Sequence, residues 1–435
     1  MFFTTKRLLS IALKTKHICA DATWKLLQHG YPILIVGTTD KNKAFHPFGL
    51  AMCCNETEDA YSFIFNAIKT SVSSIYDYDF QPTCLIADAA DAITNGFENV
   101  FIELLRRVMC WFHMKKAYED HPTFKIIKSP NKEHIMQDIN TLQLSESTEI
   151  FEAAYELFKD KWLHKTDAID NFINTYFEAE WIQKHPGWYE GYAPGIPSTN
   201  NALESTNRVV KDEGTYRVKL PLGRFLEVVK VDIIEKWSRD RDTSKPFSKT
   251  FIEKPEINHA LWVQGFHLNI DDRPTATISN KNVKSTFMST GRVNGDGDAI
   301  IDRSNIQKEI KLYRNAKTNK NWKDFEQYTD YQTRLWQLSF YEDKNEWQSK
   351  STCTCSSFQK NYICKHILLQ AIRFNYVDVP LTAQTVELED KPKRGRPKTI
   401  SKALQIDPPV LKTKRQINDV EVETTNKKRR LAKKN

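Results

Sequence analysis

Thr83-Cys-Leu-Ile-Ala-Asp-Ala-Ala-Asp-Ala-Ile93 decides the fold. Apolar residues run without alternation from Cys84 to Ala87, as in a strand buried on both faces, and the run stops at Asp88. Helical spacing takes over over 89–105, and a further apolar strand is expected over 108–112. Strand, helix and strand in so short a compass form a parallel pair with its crossover. Upstream, Tyr61, Phe65, Ile68 and Val72 space a helix over 58–76. Before it, strands over 17–25, 33–38 and 48–54, the last two joined through turn-prone Gly37 to Asn42, read as an antiparallel meander. The order β-β-β-α-β-α-β specifies an α/β fold with a mixed sheet.

Downstream, residues 115–184 are helical and polar, with an apolar stripe through Leu157, Phe158 and Trp162. Pro186, Gly187, Gly191, Pro194, Gly195 and Pro197 break the chain before Thr199 or Asn200 caps a helix carrying Glu204 and Val209. A helix over 224–238 follows, then helical pieces around a polar stretch near Gly291 to Asp298. Strands over 336–341 and 346–350 lead into a cysteine cluster, and Ile367 to Phe374 is a short apolar helix. Past Val379 periodicity is lost, and a disordered basic tail is expected. The resulting partition is a core over 1–119 and 196–244, a helical insertion over 120–195, a connecting region over 245–345, a zinc module over 346–378 and the tail over 379–435.

At 435 residues the chain exceeds what one core usually fills. Its 40% hydrophobic and 27% charged content is ordinary for a globular protein, and no apolar run approaches a membrane span. The start, Met1 to Leu13, is mildly basic and apolar but shows no small-residue cleavage site, which argues against a signal peptide. The net charge of +8 is uneven: Lys391 to Asn435 holds 15 Lys/Arg against 4 Asp/Glu, and the remainder is slightly acidic. Such a tail attracts polyphosphates by counterion release. Cys19, Cys53, Cys54, Cys84 and Cys110 sit in apolar stretches and read as buried thiols.

Asp21, Asp88 and Glu204 lie in three separate segments: Asp21 within the 17–25 strand, Asp88 where the Cys84–Ala87 run ends and Glu204 near a helix start. Carboxylates brought to one point repel unless a cation neutralises them, and hard oxygen donors favour Mg²⁺ or Mn²⁺. Asp91, one turn past Asp88, is the competing acid. Cys353, Cys355, Cys364 and His366 supply three thiolates and an imidazole, the complement of a closed structural Zn²⁺ site. The module they fold is expected to be too poor in apolar residues to stand alone. Cys110 and His113 at the end of the 108–112 strand make half a metal site, or else pack the core or touch substrate. Trp188 either stacks on an unpaired base or packs its loop. Arg394-Gly-Arg-Pro397 is similar to an AT-hook, in which glycine lets the backbone lie deep in a narrow minor groove, and Lys427 to Arg430 reads as a nuclear-localisation cluster.

Taken in order, Asp21-Ala-Thr-Trp-Lys, Ile86-Ala-Asp-Ala-Ala-Asp-Ala-Ile93, Cys110-Trp-Phe-His113, Ser198-Thr-Asn-Asn-Ala-Leu-Glu-Ser-Thr-Asn-Arg208 and the cysteine–histidine cluster resemble the Mutator-like transposases over roughly residues 1–375. That resemblance implies a ribonuclease-H-like DDE core with Asp21, Asp88 and Glu204 as its acids. It also implies a helical insertion before the glutamate, a SWIM zinc finger, and Cys110 and His113 as the C-x-x-H motif. The implied activity is metal-dependent cleavage and transfer of double-stranded DNA at element ends and target, in the nucleus, with the oligomeric state open. Family members usually carry a DNA-binding domain ahead of the core. Only twenty residues precede Asp21 here, so an N-terminally truncated chain is expected. The alternative is a domesticated, non-catalytic DNA-binding regulator.

Overall fold

A computed structural model describes residues 1–101, 106–270, 273–280, 283–295 and 299–384. The AT-hook-like residues Arg394, Gly395, Arg396 and Pro397, the Lys427–Arg430 cluster and the tail from 385 onward lie outside the described residues.

The first sheet has six strands in the order β1-β4-β3-β2-β5-β6. They are β1 Phe2–Phe3, β2 His17–Thr23, β3 Ile33–Thr39, β4 Phe45–Met52, β5 Cys84–Ala87 and β6 Arg106–Met109. β1 through β2 are antiparallel, and β2, β5 and β6 run parallel. The expected meander and crossover are therefore present, with β1 added as an edge strand tied to β4 through the Met1 amino group and the Met52 carbonyl.

Side-chain alternation divides the sheet into two buried faces. Ile18, Ala20, Leu34, Val36, Leu85 and Ala87 meet the Glu58–Tyr76 and Asp91–Glu98 helices on one side. Cys19, Ile33, Ile35, Ile86 and Val108 meet the Asn201–Val209 helix and helical residues 222–240 on the other. Both faces are covered, which is why β5 reads as an uninterrupted apolar run.

Two expectations along this sheet need correction. The 89–105 helix is shorter, Asp91–Glu98 among the described residues, and the 108–112 strand stops at Met109. Trp111–Asp120 is helical instead. Met114 and Tyr118 of that helix are drawn into the aromatic core of the insertion, so the apolar run 108–112 splits between two elements.

The insertion is helical, with main helices Asn131–Gln143 and Thr148–Trp162 and helical residues 167–184. Its core of Phe151, Phe158, Phe172, Phe177 and Trp188 extends into Phe325, Tyr328 and Tyr331 of the connecting region. That region also holds a hairpin the sequence reading missed. β7 Thr275–Asn280 and β8 Val283–Ser289 join β9 Leu335–Tyr341 and β10 Thr352–Cys353 in a second sheet, ordered β10-β9-β8-β7. The expected 346–350 strand is a helical turn, Trp347–Lys350, whose tryptophan stacks on Phe340 at 5.9 Å. The zinc module packs its apolar side chains on neighbouring elements. The Lys365–Arg373 helix buries Ile367, Leu368 and Leu369 with Leu338, Phe340 and Leu268 of the neighbouring elements. Among the described residues no helix is long and apolar enough to cross a membrane.

Candidate functional site

The parallel registers pair Cys19 with Ile86 and Ala87 with Met109. Continued past the strand ends, they set Asp21 beside Asp88 and Asp88 beside Cys110 along the carboxyl edge of three neighbouring strands. Crevices outside that edge are where open α/β sheets bind ligands. Alternation turns these residues to the face of Cys19, Ile86 and Val108, the face lying under the Asn201–Val209 helix.

That helix is tied down at both ends. The Asn200 side chain, expected as a cap, makes no capping bond; its Nδ2 donates to the Ala20 carbonyl at 3.3 Å, and its backbone N–H faces Cys110 Sγ at 3.3 Å. Two turns later Asn207 Nδ2 donates to Asp21 Oδ2 at 2.6 Å. Glu204, on the same face of the helix as Asn207, lies 3.5 Å from His113 Nε2 and 3.9 Å from Cys110 Sγ through its Oε1. Cys110 directly follows β6 and caps the start of Trp111–Asp120, whereas His113 lies in the first turn of that helix rather than at the strand end.

Burial, then the neighbouring Asp88 carboxylate, push the Asp21 carboxyl up to about 7, and Glu204 and Glu56 add to the rise. Glu56 in turn accepts from Trp24 Nε1 and the Tyr61 hydroxyl, both at 2.9 Å. Asp88 accepts from the Ala90 N–H at 3.1 Å, and the Arg107 guanidinium donates to the Asp88 and Ala87 carbonyls and to Thr94 Oγ1. Arg107 therefore pins the backbone that carries Asp88. Asp91 turns away and pairs with Lys184 at 2.9 Å.

The donor set is all oxygen, crowded and partly desolvated, which suits a hard divalent cation. Among the described residues, however, the three acids do not bring their oxygens within 4.8 Å of one another; the group that does is Cys110, His113 and Glu204. Sequence reasoning missed Asn207, Arg107 and Glu56. Asn207, three residues past Glu204 on one helix face, was the one with a readable signal. Trp188 is fully buried, donates to the Trp181 carbonyl at 2.7 Å and packs edge-on against Phe151, so it packs the loop and offers no face to a base.

The second site is compact. Cys353, Cys355, Cys364 and His366 place their ligand atoms within 4.8 Å of one another, all buried. His366 Nδ1 is 3.7 Å from Cys353 Sγ and 3.8 Å from Cys364 Sγ, close to the tetrahedral edge of about 3.6 Å that zinc–sulfur and zinc–nitrogen bond lengths imply. The N–H groups of Cys355 and Phe358 face sulfurs at 3.5 and 3.3 Å and would favour thiolates. Of the remaining cysteines, Cys54 is exposed and Cys53 half-buried, against the expectation of a buried pair; Cys19, Cys84 and Cys110 are buried.

Two family models match parts of the chain. Residues 17–117 match the MULE transposase domain, a span that includes Asp21, Asp88, Cys110 and His113. Residues 347–369 match the SWIM zinc finger and contain all four buried ligands. The protein is related to the Mutator-like transposases. The SWIM match and the Cys3His ligand set support zinc at the second site. Glu204 lies beyond the MULE match, so its place rests on the geometry. No curated protein matches the chain.

Proposed function

We propose that this protein is a DDE-type transposase on a ribonuclease-H-like sheet, cleaving DNA at element ends and joining the freed 3′-hydroxyl to target DNA. The observation that carries this reading is Asp21, raised by burial and by Asp88 at the carboxyl edge of two parallel strands, beneath the helix that bears Glu204. Asp21, Asp88 and Glu204 would hold Mg²⁺ or Mn²⁺, which when bound supplies Lewis-acid polarisation and lowers the pKa of the attacking water. The chain's own contribution is orientation. Asn207 fixes one oxygen of Asp21, Arg107 and the Ala90 amide fix Asp88, and the Asn200 anchor sets the height of Glu204 above the sheet. The basic residues 391–435 fit nonspecific attachment to double-stranded DNA, and Lys427 to Arg430 fit a nuclear location.

A second reading, a DNA-binding regulator without catalysis, draws on one specific observation: Glu204 is engaged by Cys110 and His113 rather than by the two aspartates. Incubating the purified protein with DNA and Mg²⁺ or Mn²⁺ separates the two. Cleavage and joined products that vanish in Asp88→Asn support the transposase; binding without cleavage in both proteins supports the regulator.

A further inference from the structure

We infer that Cys110, His113 and Glu204 form a second zinc-binding site, distinct from the Cys3His finger and sharing Glu204 with the proposed carboxylate set. The inference rests on that reading only in the double use of Glu204. Cys110 and His113 alone are half a site, and the fold supplies the third donor from a helix more than ninety residues away. Sulfur, imidazole and carboxylate already stand within 4.8 Å of one another, so binding requires little rearrangement.

The chemistry of the donors selects the metal. A thiolate and an imidazole favour zinc over magnesium, and three protein ligands leave a fourth position open. Cys110 precedes the ten-residue Trp111–Asp120 helix, and its sulfur faces the Asn200 amide at 3.3 Å; burial pushes the thiol up, so zinc displaces a proton when it binds. The His113 and Glu204 side chains are 35% and 28% exposed, which gives an ion an entry path. His113 Nδ1 is buried without a partner among the described residues. A zinc-binding histidine ordinarily donates its other ring N–H to an outer group, and losing such a partner weakens metal affinity about 10–100-fold. This site therefore binds more weakly than the finger and empties first.

The test uses the full chain with zinc retained in the finger and titrates Co²⁺ as a spectroscopic probe. The expected result is a thiolate-to-cobalt absorption band that saturates at one added equivalent. Cys110→Ser removes the band, and His113→Asn, which removes a ligand outright, weakens Co²⁺ binding by more than about tenfold, the lower bound for losing only a ligand's outer partner. His113→Asn also serves if the serine variant misfolds. Absence of the band in the wild-type protein, or its persistence in Cys110→Ser, overturns the site. Asp88→Asn keeps the band. A band without any wild-type DNA cleavage removes the proposed activity and leaves this site standing; cleavage without a band does the reverse.

Discussion

The Cys353–His366 cluster and the Asp21–Asp88–Glu204 cleft differ in how far apart their donors lie in sequence and how tightly the fold presses them together. The first gathers four ligand atoms from fourteen consecutive residues, all buried and within 4.8 Å of one another. The second draws its acids from β2, the end of β5 and a helix beyond the insertion, and leaves them partly open to solvent. A closed, coordinatively complete set suits a structural ion, and an open set with spare positions suits an ion that must also meet substrate. The difference teaches that here the sheet places acids at a strand edge, whereas the finger depends on its ion to hold the thiolates together.

The largest effect should come from breaking the closed site. Cys364 is fully buried, and structural zinc contributes about 10–16 kcal/mol of binding free energy in zinc-finger peptides. Cys364→Ser should open the β9–β10 pair and the Lys365–Arg373 helix, seen as fast amide exchange over 335–373 with protection retained in β2, β3 and β5. Uniform loss of protection would show that the two regions do not respond separately. Asp88→Asn tests the open site with the opposite signature. It should lower DNA cleavage at least about a thousandfold, the effect of several kcal/mol of lost transition-state stabilisation, while the melting temperature hardly moves. A large drop in melting temperature would recast Asp88 as structural. Asn207→Ala should cost less, about 10–100-fold in cleavage, since a hydrogen bond to a charged group is worth about 1.5–3 kcal/mol. Unchanged kcat in that variant would separate Asn207 from Asp21 orientation.

The same contrast explains what was legible in sequence. The finger is local, so its spacing alone names its ligands. The core strands are also legible, because β5 and its flanking helices carry unmistakable runs and periods, and Asp88 sits where the run ends. His113 was misplaced because Val108 to Phe112 is apolar throughout, and only the pull of Met114 and Tyr118 into the insertion decides where strand gives way to helix. The β7–β8 hairpin was missed because its strands, Thr275–Asn280 and Val283–Ser289, are mostly polar, and among the described residues only Thr286 to Ser289 are buried. Glu56 gave no signal, since its role depends on Trp24 and Tyr61 arriving from other segments. The engagement of Glu204 by Cys110 and His113 depends on how a helix docks across a sheet, which no spacing encodes.

The smallest effect is electrostatic and sharpens the contrast further. The Asp21 carboxyl rises from 3.8 to about 7 in the fold, through burial and then the Asp88 charge. Between those values the metal-free folded protein holds a proton that the unfolded chain has lost, so stability falls as pH rises. The contribution is fully present below the unfolded value and is lost as pH climbs through about 7. Mg²⁺ requires the ionised carboxylate and acts against this trend, so its stabilising effect should grow over the same window. The measurement is the melting temperature from pH 5 to 8, with and without Mg²⁺, for the wild type and for Asp21→Asn. The wild-type protein should lose stability relative to the variant as pH rises without metal, and regain it when Mg²⁺ is added. Parallel curves for the two proteins would mean that the acids do not crowd one another, and the open site would lose its electrostatic case for a cation.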